Sequence, residues 1–292
     1  MSTDFEEASI LLSQGQAEKS ELKLRTILIS KPKNEECLAL LGHSLMMQGK
    51  ADKAIVVFRK IIKHHPKSAN AFVELASAML TKGNKEDAEK YFQRAVELNP
   101  NYSEAWHFLG NLLMQRGARK MAKHCFVQSE KTDYFRKHFA EIQRALEQKE
   151  YHHAEKICRG ILNQHKNHPR VLHTLALLAQ QSEKYEEAVK ILQHGLTYSP
   201  FHISLWQALV INYSFLGLFE KAIEAAEQLV QIEPDDVRYM LLLAGELANV
   251  GNNEASLNVY DKAVELAPNA ANVYLQRGHV LKSLGKREQC EF

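Results

Sequence analysis

The sequence predicts an all-α solenoid, a stack of about nine helix-turn-helix repeats with the last one truncated. Three observations lead to this prediction. Prolines recur at a step of 34 residues, glycines recur at the same step, and the segments between them are apolar with the period of an α-helix. No segment has the alternating β-branched pattern that is typical of a strand.

The two series of markers are interrupted once, near the middle of the chain. The prolines are Pro32, Pro66, Pro100, Pro200, Pro234 and Pro268, and the glycines are Gly15, Gly49, Gly83, Gly117, Gly217, Gly251 and Gly285. Both series jump by 100 residues across the middle, which is two residues less than three repeats. One deletion of two residues in a degenerate central repeat therefore explains both jumps.

Each repeat is predicted to hold two amphipathic helices, A and B, in an order fixed by its markers. Glycine at repeat position 15 ends helix A in a left-handed turn, and proline at position 32 ends helix B. Small residues at positions 8 and 20 predict the points where A and B cross closely. Trp106 and Trp206 at position 4 and aromatic residues such as Phe126 at position 24 are predicted to be core.

Two stretches carry a resemblance to a known family. The segments SEAWHFLGNLLMQRGARKMAKHCF (103–126) and ISLWQALVINYSFLGLFEKAIEAAEQLVQIEP (203–234) resemble the tetratricopeptide repeat, whose W-L-G-Y-A-F-A-P series they follow at the same spacing. The resemblance implies a right-handed superhelical solenoid. It also implies that the A helices line a concave groove, in which proteins of this family bind extended peptides or partner helices.

The resemblance places four repeats in residues 1–134 and five in residues 135–292, as one continuous solenoid. The repeats are 1–34, 35–68, 69–102, 103–134, 135–168, 169–202, 203–236, 237–270 and 271–292. The fifth is degenerate, with Glu141, Ile142 and Lys149 at positions that elsewhere hold leucine, a small residue and glycine. Either this repeat has drifted, or two sub-arrays meet near residues 129–145 with a change of geometry.

Repeat positions 2, 5, 9, 12 and 13 are expected to face the groove. In repeats six to eight they form an apolar stripe with arginines at its edges, and such patches usually mark contact sites. The predicted groove residues are Asn111, Arg170, His173, Leu177, Gln207, Ile211, Phe215, Arg238 and Leu241. The alternative is that some of the stripe points into the seam between A helices and is core. As a groove, it fits an amphipathic or extended segment with apolar anchors and acidic flanks.

Two known uses of the groove are disfavoured. Family members that bind the acidic C-terminus of chaperones carry Lys at position 5 and Asn at position 9, and His107 with Asn111 is only a distant match. The asparagine ladder of the O-linked N-acetylglucosamine transferase array lies at position 6, where this chain has Leu40, Glu74 and Phe108.

No signal for chemistry is found. The net charge of +2 is too small to favour nucleic acid or membrane, and the start of the chain is unlike a secretory signal, so a cytoplasmic protein is expected. The four cysteines lack metal-site spacing, and the neighbouring pairs His64–His65 and His152–His153 point about 100° apart on their helices. With no phosphate loop and no nucleophile motif, the sequence predicts no catalytic, metal or cofactor site.

Two functional hypotheses follow. The first is a non-catalytic interaction scaffold that binds a protein or peptide partner. The second is the recruiting arm of a longer enzyme, because VYLQRGHVLKSLGKREQCEF (273–292) and AEKICRGIL (154–162) are similar to arrays that precede sulfotransferase domains in bacterial proteins. Residues 286–292 look like the start of an interrupted ninth B helix, so the end of the array is expected to fray or to self-associate.

Overall fold

The computed structural model describes residues 3–133 and 135–285, and within these ranges all regular secondary structure is α-helical. The chain divides into two compact units, residues 1–136 and 137–292. The boundary falls inside the segment 129–145, in which the degenerate repeat begins. That the two units form one continuous solenoid stays a prediction.

The N-terminal unit holds the helices of repeats one to four, each A helix being followed by its B helix. They are α1 (Thr3–Ser13), α2 (Ala17–Ser30), α3 (Glu35–Met47), α4 (Ala51–His64), α5 (Ala69–Thr81), α6 (Lys85–Leu98), α7 (Ser103–Gln115) and α8 (Arg119–Lys131). Consecutive helices pack against one another throughout this series. The buried side chains form one apolar core along the unit.

The C-terminal unit holds the helices of repeats five to nine. The first of them, α9, begins one residue before the unit itself begins. They are α9 (Arg136–Glu147), α10 (Tyr151–Gln164), α11 (Pro169–Gln181), α12 (Tyr185–Tyr198), α13 (Ile203–Phe215), α14 (Phe219–Ile232), α15 (Val237–Asn249), α16 (Asn253–Leu266) and α17 (Ala271–Ser283). From α10 to α17 each helix packs on the next. The predicted ninth B helix lies outside the described residues.

The turns between A and B helices confirm the role predicted for glycine. All seven marker glycines have positive φ, between 69° and 81°. The same conformation is adopted by Lys149 (φ 59°) in repeat five and by Glu183 (φ 57°) in repeat six, which occupy the equivalent position. A side chain with a Cβ is strained in this region, so both residues are held there by the packing of the helices on either side.

Replacing these two residues by glycine is expected to stabilise the C-terminal unit. Lys149→Gly and Glu183→Gly each relieve the left-handed strain, partly offset by the greater freedom of glycine in the unfolded chain, for a net gain of about 0.5–1 kcal/mol. Urea unfolding followed by circular dichroism measures the gain. Lys149→Ala is the matched control, because it removes the same side chain and keeps the strain. An equal gain from Lys149→Ala would contradict the explanation.

The crossing of A and B within a repeat is as close as the small residues predict. A Cβ on Gly42 would collide with the Phe58 ring, and one on Gly110 would lie 2.6 Å from Cε1 of Phe126. The glycine at position 8 therefore makes room for the aromatic ring at position 24. Where position 20 is serine, its hydroxyl donates to the carbonyl at position 8, as Ser256 does to Ala244 at 2.7 Å.

The two tryptophans are partly buried against the apolar core, in agreement with the prediction, and they also make a contact that the sequence does not reveal. The indole Nε1 of Trp106 donates to the carbonyl of Pro100 at 2.8 Å, and that of Trp206 donates to the carbonyl of Pro200 at 2.7 Å. Each tryptophan thus fastens its A helix to the end of the preceding repeat.

The degenerate fifth repeat keeps the helical pattern with different residues. Ile142 is buried at the small position and Glu141 is exposed, and α10 ends at Gln164 although Lys166 stands where other repeats have proline. Helix α12, which is followed by Pro200, ends at the same repeat position. The end of helix B is therefore set by packing, and the proline reinforces it.

Candidate functional site

Eight of the nine predicted groove residues lie on three A helices of the C-terminal unit. Helix α11 carries three of them, α13 three and α15 two: Arg170, His173, Leu177, Gln207, Ile211, Phe215, Arg238 and Leu241. The ninth, Asn111, lies on α7 in the N-terminal unit. The structure therefore brings eight of the predicted residues into one unit and leaves Asn111 out of that set.

Two hydrogen bonds between neighbouring A helices fix which side of each helix faces the next. Asn212 Nδ2 on α13 donates to Gln180 Oε1 on α11 at 3.3 Å, and Ser214 Oγ on α13 donates to Glu246 Oε1 on α15 at 2.8 Å. Positions 10 and 12 of the repeat thus line the seam between A helices. Position 12 is expected to face the groove, and at Gln180 and Ser214 the side chain is half-buried and bonds to the neighbouring A helix.

Positions 2, 5, 9 and 13 lie between the two seam positions, within an arc of about 80° on an ideal helix. These positions of repeats six to nine form a surface that we call the A face. Its members are Arg170, His173, Leu177, Gln181, Ser204, Gln207, Ile211, Phe215, Arg238, Leu241, Gly245, Asn249, Asn272, Leu275, His279 and Ser283. Seventeen helices are described, and only α11, α13, α15 and α17 contribute to this surface.

The apolar stripe is in large part exposed on the A face. The exposed fraction is 41% for Ile211, 61% for Phe215 and 60% for Leu275, while Leu177 and Leu241 are half-buried. The alternative that the stripe is core therefore holds in part for Leu177 and Leu241, whose side chains are half-buried. It fails for Ile211 and Phe215, whose side chains are exposed. Leu275 was outside the predicted groove set, although it occupies the same repeat position as Leu241.

Phe215 is held in place by another aromatic ring. Its ring stacks on that of Tyr185 at the start of α12, with centroids 4.8 Å apart and planes 12° from parallel. Offset stacking of this kind is favourable and limits the rotation of an otherwise exposed side chain. A partner that contacts Phe215 consequently meets a ring whose orientation is already fixed, which lowers the entropy lost on binding.

The A face carries cations and no carboxylate. At repeat positions 2, 5, 6, 9, 12 and 13 of repeats six to nine, all of them described, there is no Asp or Glu, whereas Arg170, Arg238 and Lys282 are present. Most acidic residues in the helices of these repeats are instead on the B helices, among them Glu186, Glu187, Glu220, Glu224, Glu227, Glu254 and Glu265, and the A helix α15 carries Glu246 in the seam. The groove positions of these repeats are therefore free of carboxylates, whereas the B helices carry both acidic residues and lysines such as Lys190 and Lys221.

The two arginines at the edges of the stripe differ in their surroundings. The guanidinium Cζ of Arg170 lies 3.9 Å from the centroid of the Phe139 ring. Arg238 is paired through two bonds with Asp236, Nη2 to Oδ2 at 2.6 Å and Nε to Oδ1 at 3.0 Å. Because Asp236 already balances its charge, Arg238 is a weaker anion-binding group than the sequence predicts.

His173 adds to the apolar character of the A face near Arg170. Burial lowers the pKa of His173 below its ordinary value, since the charged ring is poorly solvated there. The ring is therefore neutral at pH 7. Together with Leu177, one turn further along α11, it extends the apolar surface from α13 to α11.

In the N-terminal unit Asn111 is a buried residue. It is 8% exposed, its Nδ2 lies 3.3 Å from Nε2 of His107, and among the described residues its Oδ1 has no hydrogen-bond partner. A residue so enclosed offers little surface to a partner. That Asn111 is a groove residue stays a prediction, and its burial favours a structural role.

The His43–Glu74 pair of the N-terminal unit gives a pH-dependent prediction. His43 Nε2 lies 2.8 Å from Glu74 Oε1, and this hydrogen bond raises the pKa of His43. The pair stabilises the fold fully below pH 6.5, the pKa of an unperturbed histidine, and the stabilisation is lost as the pH rises through the higher folded pKa. We expect His43→Gln to destabilise the protein more at pH 6 than at pH 8, as measured by urea unfolding. An equal effect at both pH values would contradict this.

The described residues contain no group of three or more His, Cys, Asp or Glu side chains placed to hold a metal ion. Cys37, Cys125 and Cys158 are buried and unpaired, and burial raises the pKa of Cys125 to about 11 and that of Cys158 to about 12. Thiols in such surroundings are poor nucleophiles. Within the described ranges, no helix has the length and apolar character needed to span a membrane.

Family models match most of the repeats. Models described as tetratricopeptide repeat match residues 45–112, 145–211 and 203–236, and one described as TPR repeat matches residues 248–285. No curated protein matches the chain significantly in sequence. The matched segments contain α11, α13 and α17, whereas most of α15 lies in the gap between two matches, so three of the four helices of the A face are covered by the family models.

Several solved structures are similar at low identity. The crystal structure of the APC/C hetero-tetramer Cut9–Hcn1 has 16% sequence identity and a TM-score of 0.44. The match covers 94% of this chain and 54% of the chain in that structure. The MamA structure has 17% identity and a TM-score of 0.37, covering 81% of this chain and 93% of that one. A tetratricopeptide repeat protein from Parabacteroides merdae ATCC 43184 has 17% identity and a TM-score of 0.41, covering 96% and 100%. At this level of similarity, these structures carry no information about partners.

Proposed function

We propose that this chain, an array of tetratricopeptide repeats, is a non-catalytic scaffold that binds an acidic protein segment with apolar anchors on the A face of its C-terminal unit. Tetratricopeptide repeats imply a protein-interaction scaffold in general. What we propose beyond this general role is the binding surface, the chemistry of the partner and the absence of catalysis.

The observation that supports it is the exposed apolar stripe on a surface without carboxylates. Ile211, Phe215 and Leu275 leave large fractions of their side chains in water, although most apolar side chains of the described helices are buried. Apolar patches of this kind, rimmed by polar groups, are typical of protein contact sites. The cations at positions 2 and 12, Arg170, Arg238 and Lys282, favour an anionic partner over a cationic one.

The spacing of the A helices limits the partner further. Packed helices lie about 8–10 Å apart, so anchors that reach successive A helices are separated by about that distance. An extended segment of the polyproline II type covers it in about three residues, at roughly 3.1 Å per residue, and its side chains return to the same face every three residues. A helical segment needs about seven residues, at 1.5 Å per residue. Apolar residues at i, i+3 and i+6 therefore indicate an extended partner, and residues at i and i+7 a helical one.

Peptide selection tests the proposal directly. A phage-displayed library of random peptides about 16 residues long, long enough for either spacing, is panned against the full chain, and the selected sequence is then synthesised and its affinity measured by fluorescence anisotropy. We expect a consensus with Asp or Glu near Leu, Phe or another large apolar residue, at one of the two spacings. Selection of basic peptides, or of none above background, would contradict the proposal.

The Asp236–Arg238 pair provides a prediction about charge. Asp236→Asn keeps the oxygen that accepts the Arg238 backbone N–H and releases the guanidinium, so we expect it to strengthen binding of the acidic peptide about 2–5-fold. Glu227→Gln on α14 is the matched control, since it removes one negative charge from a B helix. The two variants are compared by fluorescence anisotropy at low salt. The same gain from both would indicate a non-specific charge effect and reject a role for Arg238.

A second role as the recruiting arm of a longer enzyme, a sulfotransferase or another transferase, is favoured only by the resemblance of residues 154–162 and 273–292 to such arrays. The A face would then hold a substrate protein or a regulatory segment. An activity assay with a sulfonate donor and the selected peptide, using the natural protein, tests this role separately. No transfer to any acceptor would reject it and leave the scaffold proposal intact.

A further inference from the structure

Gly245 occupies an unusual place at the centre of the A face. It lies in the interior of α15, in the third turn of a helix that runs from Val237 to Asn249. Glycine destabilises a helix interior relative to alanine, so its presence there needs a reason. The corresponding position holds Leu177 on α11, Ile211 on α13 and His279 on α17, so the glycine is the one member of this row in repeats six to nine without a side chain.

Packing within the fold does not supply that reason. A Cβ on Gly42 or Gly110 would meet the ring of Phe58 or Phe126, which explains why those helix positions are glycine. A Cβ on Gly245 would have no atom within 4 Å. Gly245 is nevertheless half-buried. From the open space over this half-buried stretch of backbone we infer a shallow depression on the A face.

The neighbours of this depression define what it can accept. Leu241 lies one turn earlier on the same helix, and Ile211 holds the equivalent position on α13. On the other side of Gly245, Glu246 is turned into the seam, where its carboxylate accepts hydrogen bonds from Ser214 at 2.8 Å and Asn249 at 3.3 Å. The carboxylate is thereby kept off the A face, and the residues at the neighbouring groove positions, Leu241 and Ile211, are apolar.

We propose that the depression at Gly245 is the specificity pocket of the A face, which receives one large apolar side chain of an acidic protein segment. This inference rests on the proposed function and adds to it the residue that selects the anchor. The acidic character of the occupant follows from the charges around the surface: Arg170 lies on the A face, Lys282 lies beside it at position 12, and no carboxylate stands at the groove positions, while the charge of Arg238 is balanced by Asp236. Because the pocket is formed by a missing side chain, a larger residue at position 245 would occupy the space of the anchor.

The test compares variants at two glycines with the peptide selected by panning on the full chain. Gly245→Leu is expected to weaken binding about 10–100-fold, the effect of losing one apolar anchor, while the helix becomes no less stable. Gly160→Leu is the matched control: this glycine is exposed on the B helix α10, and a Cβ added to it would also have no atom within 4 Å. Thermal unfolding by circular dichroism checks that both variants fold.

A double-mutant cycle identifies the anchor. Each large apolar residue of the peptide is replaced by Ala in turn, and one of these peptides is expected to bind wild type about 10–100-fold more weakly and to lose little further affinity for Gly245→Leu. Additive losses for every peptide position would overturn the inference. So would equal affinity of wild type and Gly245→Leu for the parent peptide.

The outcomes separate this inference from the proposed function. Suppose that the peptide binds wild type, that the double substitution of Phe215 and Leu241 by Ser abolishes binding, and that Gly245→Leu leaves the affinity unchanged. The pocket at Gly245 is then rejected and the scaffold proposal stands. If panning yields no peptide, or the Phe215 and Leu241 variant binds normally, both fail. A 20-nucleotide single-stranded RNA is tested as a competing ligand. If wild type binds this RNA more tightly than the peptide, and Gly245→Leu abolishes that binding, the assignment of a protein partner is overturned.

Discussion

Replacing Phe215 and Leu241 together by Ser is expected to weaken binding of the selected acidic peptide by more than about 100-fold. Burying one large apolar side chain contributes about 1.5–3 kcal/mol, and two such contacts multiply in the affinity. Phe215 is expected to contribute more, because it is 61% exposed in the free protein and its ring is held by Tyr185. Fluorescence anisotropy with the labelled peptide measures the loss.

The fold should survive this double substitution, because neither side chain is fully buried. Phe215→Ser is expected to change the free energy of unfolding by less than about 1 kcal/mol, with a larger share of any loss coming from the half-buried Leu241. The matched control replaces Tyr198 and Leu266 by Ser, two exposed apolar residues at the ends of the B helices α12 and α16. A control variant that binds as weakly as the A-face variant would mean that the loss reflects general destabilisation.

Phe92→Ala is expected to have the largest effect on stability, about 3–5 kcal/mol of the free energy of unfolding. Phe92 is fully buried at position 24 of repeat three, and its ring stacks on Phe108 with centroids 5.3 Å apart and planes 16° from parallel. Removing it leaves a cavity where helix α6 packs on α7. Urea unfolding followed by circular dichroism measures the change.

The loss of stability caused by Phe92→Ala should also be confined to the neighbouring helices. In a repeat array each repeat contacts its neighbours, so hydrogen exchange is expected to accelerate first in α5, α6 and α7. The helices α12 to α15 of the C-terminal unit should keep their protection under mildly destabilising conditions. Uniform acceleration over both units would show that they unfold as one cooperative body and would contradict the repeat-by-repeat description.

Local backbone chemistry explains why so much of the fold can be predicted. Glycine at position 15 predicts the left-handed turn because few other residues adopt positive φ without strain, and the structure confirms it at all seven glycines. Glu183 adopts the same conformation without any sequence signal. There the packing of α11 and α12 overrides the preference of the residue, and packing cannot be read from one position.

The candidate site is less predictable, because exposure depends on the angle between neighbouring helices. Repeat position alone assigns Ser214 to the groove, but its hydroxyl bonds to Glu246 across the seam. The polar residues Asn212 and Glu246 at position 10 are the signal that was missed, since the equivalent residues Ala78 and Leu112 are apolar. A polar residue at an otherwise apolar position is a sign of a hydrogen bond between repeats.

Arg238, at the edge of the stripe, illustrates a second limit on what the sequence can predict. Arg238 follows Asp236 by two residues, and a carboxylate at the start of a helix is commonly a cap. Asp236 does cap α15, accepting the backbone N–H of Arg238 at 3.0 Å, and it also pairs with the Arg238 guanidinium. The sequence predicts both groups but not that one carboxylate makes both contacts, because that depends on the rotamer of the arginine.

Photo-crosslinking tests the central claim most directly, since it reports where on the chain the partner lies. The selected peptide is synthesised with benzophenone-alanine in place of one apolar anchor at a time, irradiated with the full chain, and the crosslinked residues are identified by mass spectrometry. The A face as binding surface predicts crosslinks to α13 and α15, near Ile211, Phe215 and Leu241. Crosslinks confined to the B helices α12, α14 and α16, or to the N-terminal unit, would contradict it.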